Sequence, residues 1–266
     1  MLAAMVAIAA GVFPVPSLAT PVTLPGGDFK TVIPLAEGTD SVQLPGFKMD
    51  RLPVTNGEFL EFVRANPEWQ RSKAVRLFAG AGYLGHWADD LELGDKALPE
   101  QPVTRVSWFA ATAYCESRGG RLPRWHEWEF AAAADEDRTD ARDDPAWRQR
   151  ILAWYAVPSN RALATVGQSE PNAWGIHDMT GLVWEWVEDY SALLVSSDNR
   201  EQGGADKLQF CGAGAISMEQ KENYAVLMRV AMLSSLEADY ATRDLGFRCA
   251  YDMTGQPGTV LAGEEQ

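Results

Sequence analysis

Residues 172–190 read NAWGIHDMTGLVWEWVEDY and hold the tryptophans Trp174, Trp184 and Trp186 beside acidic and amide side chains and two glycines. The run shows neither the alternation of a strand nor the periodicity of a helix. It is therefore expected to be irregular. The question is why an irregular segment should contain so many aromatic rings beside carboxylates.

The composition is that of a globular chain that can bury a full core. The chain has 266 residues, of which 46% are hydrophobic and 10% aromatic, and its length suits one large domain or two small ones. Its 37 acidic residues outnumber its 23 lysines and arginines and give a net charge of −14. Most of such a surface repels a phosphate backbone, which argues against nucleic acid as a partner.

Residues 1–19 have the pattern of an export signal. The apolar start reaches Pro14 and Pro16 and then small residues before Ala19, which predicts a signal peptide over 1–19 with cleavage near Ala19, although the usual basic residue near the start is missing. An uncleaved N-terminal anchor is the alternative. No later segment offers about 20 uninterrupted apolar residues, so no stable membrane span is expected after processing. Because of the export signal, the processed protein is expected in the periplasm or outside the cell.

Cysteine and histidine usage limits the redox and metal chemistry. The three cysteines, Cys115, Cys211 and Cys249, allow at most one internal disulfide, and an oxidising compartment would permit that bond. There is no CxxC pair, and the histidines at positions 86, 126 and 177 are widely separated. This distribution argues against a zinc or iron site built on several histidines.

Capping signals predict two helices in the first half of the chain. Thr55 and Glu58 have the spacing of a capping box, and the amphipathic pattern that follows stops at Asn66-Pro67. A short β-prone segment at 103–106 leads to a Ser107 cap and a helix that stops at Gly119-Gly120.

The second half of the chain gives weaker signals. A third helix is predicted over 127–134, and the charged run 135–144 is interpreted as a solvated connection. The apolar run 224–233 is predicted to be a strand. Residues 253–266 are predicted to be a flexible tail.

Five motifs follow one another in a defined order along the chain. They are RLPVTNGEFLEF, QPVTRVSWFAATAYC, GGRLPRWHEWEFAAA, PNAWGIHDMTGLVWEW and LGFRCA. Over residues 24–252 the chain therefore resembles the formylglycine-generating enzyme, or sulfatase-modifying factor, family. The resemblance implies a single α+β domain related to the C-type lectin-like fold, with little regular secondary structure and with aromatic packing and bound ions that hold it together.

The resemblance also implies a calcium site in the segment 178–185. The ligands carried over are the Asp178 side chain, the Gly181 and Val183 carbonyls and the Glu185 carboxylate. Calcium prefers several oxygen ligands together, and this set provides charge and inward-turned carbonyls. In the alternative interpretation, Asp178 caps a turn and Glu185 pairs with an arginine such as Arg121 or Arg248.

The remaining cysteine expectations also come from the resemblance. Cys115 and Cys249 match a disulfide of exported family members, with two buried thiols as the alternative. Oxygen-dependent members bind Cu(I) through two cysteines upstream of LGFRC, but no cysteine lies between Cys211 and Cys249 here. Because Cu(I) needs soft ligands, neither copper nor formylglycine generation is expected, and Cys211 is predicted to be a free thiol, either reactive or buried and inert.

Two functional hypotheses of different class follow. In the first, the protein is an accessory or maturation factor that binds a partner polypeptide or a peptide-like substrate in the periplasm, resembling the branch that accompanies copper nitrite reductases. In the second, it is an oxidoreductase in oxidative maturation of a siderophore or protein, resembling pyoverdine-maturation proteins. Glu219, Glu222 and Tyr224 would then be acid-base candidates, although a solvated turn explains them as well. Carbohydrate binding would rest on the lectin-related fold alone.

Overall fold

The structure, a computed structural model, describes residues 20–32, 41–158, 161–192 and 224–253. The predicted signal peptide over 1–19 and most of the predicted tail lie outside these ranges. Among the helices that the structure describes, none is long and apolar enough to cross a membrane.

Short helices and strands alternate with long irregular segments. The helices are α1 (Asn56–Ala65), α2 (Trp108–Ser117), α3 (Trp125–Ala132), α4 (Pro145–Tyr155) and α5 (Tyr224–Ser234). The strands are β1 (Val22–Leu24), β2 (Gly27–Lys30), β3 (Ser41–Leu44), β4 (Phe47–Met49), β5 (Trp184–Glu185), β6 (Leu245–Gly246) and β7 (Ala250–Asp252). This mixed architecture confirms the predicted α+β class with little regular secondary structure.

The predicted starts of the first two helices are confirmed. At α1, the Thr55 hydroxyl accepts a hydrogen bond from the Glu58 backbone N–H at 3.2 Å, and the Glu58 carboxylate accepts one from the Thr55 N–H at 2.9 Å. At α2, the Ser107 hydroxyl accepts from the Ala110 N–H at 3.1 Å. These reciprocal and single caps satisfy donors that would otherwise be unpaired in the first helical turn.

Two predicted strands are wrong. Residues 103–106 form no strand, since Arg105 takes a φ of 54° that interrupts an extended chain. The apolar run near the C-terminus forms helix α5. A continuous apolar run fits a buried strand and a buried helix equally, and only its neighbours in the fold decide between them.

The third helix and the charged connection also differ from expectation. Helix α3 begins at Trp125, two residues before the predicted start, and ends at Ala132. The charged run leads directly into α4, which was not predicted. Asp144 caps α4 by accepting from the Ala146 N–H at 2.8 Å, and Pro145 occupies its first turn, both of which are helix-start signals.

Three small sheets connect distant parts of the chain. Antiparallel pairing gives one sheet the order β1-β4-β7 and joins β2 to β3. Strands β5 and β6 pair in parallel, with Trp184 opposite Leu245 and Glu185 opposite Gly246. This last pairing places the WEW motif beside the LGFRC motif.

The main core is aromatic and is crossed by a disulfide. Phe59 of α1, Tyr114 of α2 and Phe247 lie with ring centroids 5.3 to 6.0 Å apart. Beside them Cys115 and Cys249 form a disulfide, with Cα atoms 5.5 Å apart. The bond ties α2 to the chain that leads into β7.

Candidate functional site

The quoted run 172–190 contains a turn that is fixed by backbone pairing and by one tryptophan. The Trp184 N–H donates to the Asp244 carbonyl at 2.8 Å and the Trp186 N–H donates to the Gly246 carbonyl at 3.0 Å. The Trp186 ring is fully buried, and its indole N–H donates to the Val106 carbonyl at 3.0 Å. The aromatic side chain therefore anchors the turn in the core.

Glu185 lies at the centre of a buried polar network. Its carboxylate accepts from Arg248 Nε at 3.0 and 2.9 Å and from Arg248 Nη2 at 2.8 Å. It also accepts from the Trp128 indole N–H at 2.8 Å. Both side chains of the ion pair are 0% exposed, so the pair with Arg248, one of the alternatives raised by the sequence, is present. Arg121, the other arginine considered, pairs with Glu127 and Asp252.

Asp178 and Gly181 are also engaged by neighbouring groups. The Asp178 carboxylate, on a residue with a φ of 57°, accepts from the backbone N–H groups of Gly167 at 2.5 Å and Ser169 at 3.4 Å. The Gly181 carbonyl accepts from Arg161 Nη2 at 2.6 Å, and the Leu182 carbonyl accepts from the same nitrogen at 3.0 Å. The turn is thus braced by guanidinium and backbone donors.

In this arrangement three of the four residues expected to bind calcium, Asp178, Gly181 and Glu185, already have their ligand oxygens engaged by protein donors. A calcium ion needs several free oxygens that converge, whereas Arg248 holds the Glu185 carboxylate and Arg161 faces the Gly181 carbonyl. Val183 is buried beside them. Within the described ranges, no group of three or more His, Cys, Asp or Glu side chains could hold a metal ion. An ion bound as the sequence analysis expects would require the Arg161 guanidinium to move.

Helix α5 contributes a buried arginine to the same region. Arg229 is 2% exposed, and its guanidinium carbon lies 3.4 Å from the centroid of the Trp128 ring. Arg229 Nη2 donates to the Glu185 carbonyl at 2.7 Å. Burial lowers the pKa of Arg229 to about 10, which still leaves the guanidinium charged at neutral pH.

Arg229 lines a small cavity between α3, α4 and α5. Its volume is about 20 Å³, and Trp128, Tyr155 and Val226 form part of its wall. The Tyr155 ring stacks on Trp184 with centroids 4.8 Å apart and an angle of 19° between the planes. The surface of the cavity is therefore mostly apolar and aromatic, although its wall also includes the charged residues Glu129, Arg142 and Arg229.

A larger cavity adjoins the first. It has a volume of about 250 Å³ and lies between α4 and the segment 169–181. The two cavities share four wall residues: Ala132, Trp147, Ile151 and Thr180. Trp154 and the carboxylates of Glu170 and Asp178 line the larger one. The two adjoining cavities are here called the groove, with an apolar end at the smaller cavity and a polar end at the larger one.

The structure describes few of the residues predicted for catalysis. Cys211, Glu219 and Glu222 lie outside the described ranges. Tyr224 is the first residue of α5. A role for these residues stays a prediction.

Arg229 and Trp128 were not identified from the sequence. Arg229 stands within an apolar run at 225–233, and a charge in such a run is a signal of a buried and paired group. Its neighbours come from α3 and from β5, which are far away in the sequence. The sequence pattern thus indicates that Arg229 is buried and paired, but it does not identify the partner.

Sequence similarity links this chain to a known protein family. The family model described as the sulfatase-modifying factor enzyme 1-like domain matches residues 8–253. The chain belongs to this family. Formylglycine-generating enzyme from Streptomyces coelicolor is 30% identical to this chain over 87% of it and 88% of the relative.

Two further relatives differ in their described activity. The inactive C-alpha-formylglycine-generating enzyme 2 of Bos taurus is 29% identical over 90% of this chain and 90% of its own length. Hercynine oxygenase from Mycolicibacterium smegmatis is 31% identical over 63% of this chain and 45% of its own length. Proteins similar to this chain therefore include one described as inactive and one described as an oxygenase.

Proposed function

We propose that this protein is an accessory or maturation factor that binds a peptide-like ligand or a segment of a partner polypeptide. The groove formed by the two adjoining cavities carries this proposal. Trp154 and Tyr155 supply aromatic surface, and the polar end includes Glu170, whose carboxylate suits backbone amides and basic groups. Apolar walls with a few convergent polar groups are typical of binding sites.

The cysteine inventory argues against formylglycine generation by this chain. The two-thiolate copper site expected for oxygen-dependent members needs two free cysteines, but Cys115 and Cys249 are joined to each other. Cys211 is then the one cysteine left in the sequence. A family scaffold without this chemistry suits a binding role, as the relative described as inactive illustrates.

We place this role in the periplasm or outside the cell. A disulfide within the core is a feature of oxidising compartments, and the start of the chain has the pattern of an export signal. The alternative is an oxidoreductase of oxidative maturation, which the similarity to a hercynine oxygenase supports.

Site-specific photo-cross-linking in the native host tests the binding role. The photo-reactive amino acid p-benzoylphenylalanine would replace Trp154, which lines the groove. A matched variant would carry it at Leu77, which is 72% exposed and is not in the wall of either cavity.

We expect discrete polypeptide or peptide adducts at position 154 and not at position 77. Mass spectrometry of the adduct separates the hypotheses, because a polypeptide or peptide supports the accessory role. A small-molecule adduct that acquires oxygen on incubation would support the oxidoreductase instead. No adduct at position 154, or identical adducts at both positions, would reject binding in this groove.

A further inference from the structure

The turn 82–87 and the segments bonded to it contain three buried polar atoms that lack hydrogen bonds. His86 Nδ1, His86 Nε2 and Thr242 Oγ1 have no hydrogen-bond partner among the described residues. Arg105 joins the two segments, because its carbonyl accepts from the Leu84 N–H at 2.9 Å and its own N–H donates to the Thr242 carbonyl at 2.9 Å. Buried polar groups are normally hydrogen-bonded, so each of these exceptions calls for water or a bound group.

The Arg105 guanidinium reaches the same turn. Its Nη1 lies 3.8 Å from the position that a Cβ on Gly85 would take. Within the part of the chain that the structure describes, this guanidinium has no hydrogen-bond or ion-pair partner, although the Arg105 residue is only partly exposed. A guanidinium has five N–H donors and binds carboxylate and phosphate groups well. The Arg105 donors are therefore available to a ligand.

The backbone is strained at this point. Leu84 has a φ of 45° and Arg105 has a φ of 54°, in the left-handed region that non-glycine residues rarely adopt. Among the described residues, one further non-glycine residue, Asp178, has a positive φ. The two strained residues at this turn are hydrogen-bonded to each other. Strain of this kind clusters at ligand-binding positions, which favours a functional reason for the placement of Arg105.

The charges that act on His86 are positive. Burial, together with the charges of Arg105, Arg243 and Arg71, lowers the pKa of His86 to about 4, so its ring is neutral at neutral pH. A neutral imidazole keeps one N–H donor and one acceptor nitrogen. Asp90 compensates part of the charge of Arg71, but it forms no hydrogen bond or ion pair with Arg105. This local concentration of positive charge suits an anion.

The position and the donors of the turn suit a small oxyanion. Gly85 and Arg243 are exposed, whereas His86 and Arg105 are partly exposed, so the unpartnered atoms lie close to the surface. Oxygens of an anion accept from guanidinium, imidazole and hydroxyl donors. An anion that also carries an O–H can donate to the acceptor nitrogen of the neutral imidazole. Hydrogen phosphate offers both, whereas chloride has no donor.

We propose that the turn 82–87, together with Arg105 and residues 242–243, binds a phosphate group, either as free phosphate or as the end of a larger molecule. None of these residues lines either cavity of the groove. The site is therefore separate from the peptide-binding role and goes beyond it. Arg105 is a binding residue in this proposal, and no covalent step is assigned to it.

The test measures the binding of inorganic phosphate to the intact protein at neutral pH. Isothermal titration calorimetry gives the affinity, with sodium chloride at the same ionic strength as the comparison. We expect a Kd for phosphate of about 1 mM or lower and binding of chloride at least about tenfold weaker. NMR follows the ring C–H signals of His86, which are assigned with the variant His86→Gln. Bound phosphate should raise the pKa of His86, because a nearby anion favours the protonated imidazole.

Two arginine variants locate the site. Arg105→Gly is suited to this position, because glycine adopts a positive φ without strain. This variant should weaken phosphate binding at least about tenfold without a lower Tm in phosphate-free buffer. Arg64→Met is the control, because Arg64 pairs with Glu61 at the surface with side chains 47% and 70% exposed. It should bind phosphate as tightly as the unmodified protein.

The outcomes separate a phosphate site from buried water. Absence of phosphate binding, or equal binding of phosphate and chloride, would overturn the proposal and assign water to the unpartnered atoms. An unchanged phosphate affinity in Arg105→Gly, or a pKa of His86 that phosphate does not move, would also overturn it. Methyl phosphate identifies the source of the group. Binding as tight as that of inorganic phosphate supports a phosphate on a larger molecule, whereas binding of inorganic phosphate alone supports the free anion.

Discussion

Replacement of Glu185 by glutamine tests the buried network most directly. The change keeps the shape of the side chain but removes the charge that Arg248 contacts through two nitrogens at 2.8 to 3.0 Å. Arg248 and Arg229 would then be two buried cations without a carboxylate. Loss of one member of a fully buried pair costs about 3–5 kcal/mol.

The free energy of unfolding is measured by denaturant titration followed by tryptophan fluorescence. For a domain of this size, ~1 kcal/mol corresponds to roughly 2–4 °C in Tm, so a drop of about 10 °C is expected in a thermal scan. Glu136→Gln is the matched control, because Glu136 and Arg150 form a pair with side chains 48% and 57% exposed. Such an exposed pair contributes at most ~1 kcal/mol.

The same comparison separates an arginine partner from a calcium ligand. If Glu185 acts through Arg248, the loss is the same in calcium and in EDTA. A loss no larger than that of Glu136→Gln would refute the reasoning about the buried pair. A loss that disappears in EDTA would show instead that the carboxylate binds calcium.

Three other perturbations have defined outcomes. In protein made in an oxidising compartment, Cys115→Ser or Cys249→Ser should lower the free energy of unfolding by up to ~5 kcal/mol in the chain-entropy model, because the disulfide closes a separation of 134 residues. Cys211→Ser should cause no comparable loss, and equal losses at all three positions would contradict the pairing. Burial raises the pKa of Asp50 from 3.8 to about 6, so the folded state binds this proton more tightly than the unfolded state. The free energy of unfolding should therefore fall by roughly 3 kcal/mol as the pH rises from the unfolded pKa through the folded pKa. Asp50→Asn should lack this component, and identical pH profiles of the two proteins would exclude it. Addition of millimolar calcium should change Tm by less than ~2 °C, because the Arg161 and Arg248 guanidinium groups already contact oxygens expected to bind the ion. A larger rise in Tm would instead support the calcium site expected from the family resemblance.

In the first half of the chain, the starts of two helices could be predicted from interactions between residues close in sequence. The capping box at Thr55 and the cap at Ser107 lie within a few residues of the groups that they bind, so their effect can be predicted from the sequence alone. The ordered motifs also predicted the family and the α+β class. The absence of a cysteine between Cys211 and Cys249 argued against two-thiolate copper chemistry without any structure.

Tertiary structure alone decided the partners of the buried charges. Glu185 and Arg248 are 63 residues apart in sequence, and they meet because β5 and β6 pair in parallel. The run around Arg229 became a helix because three-dimensional packing selects between a buried strand and a buried helix. A sequence shows that a charge must be compensated, whereas the partner depends on which distant segments the fold brings within hydrogen-bonding distance.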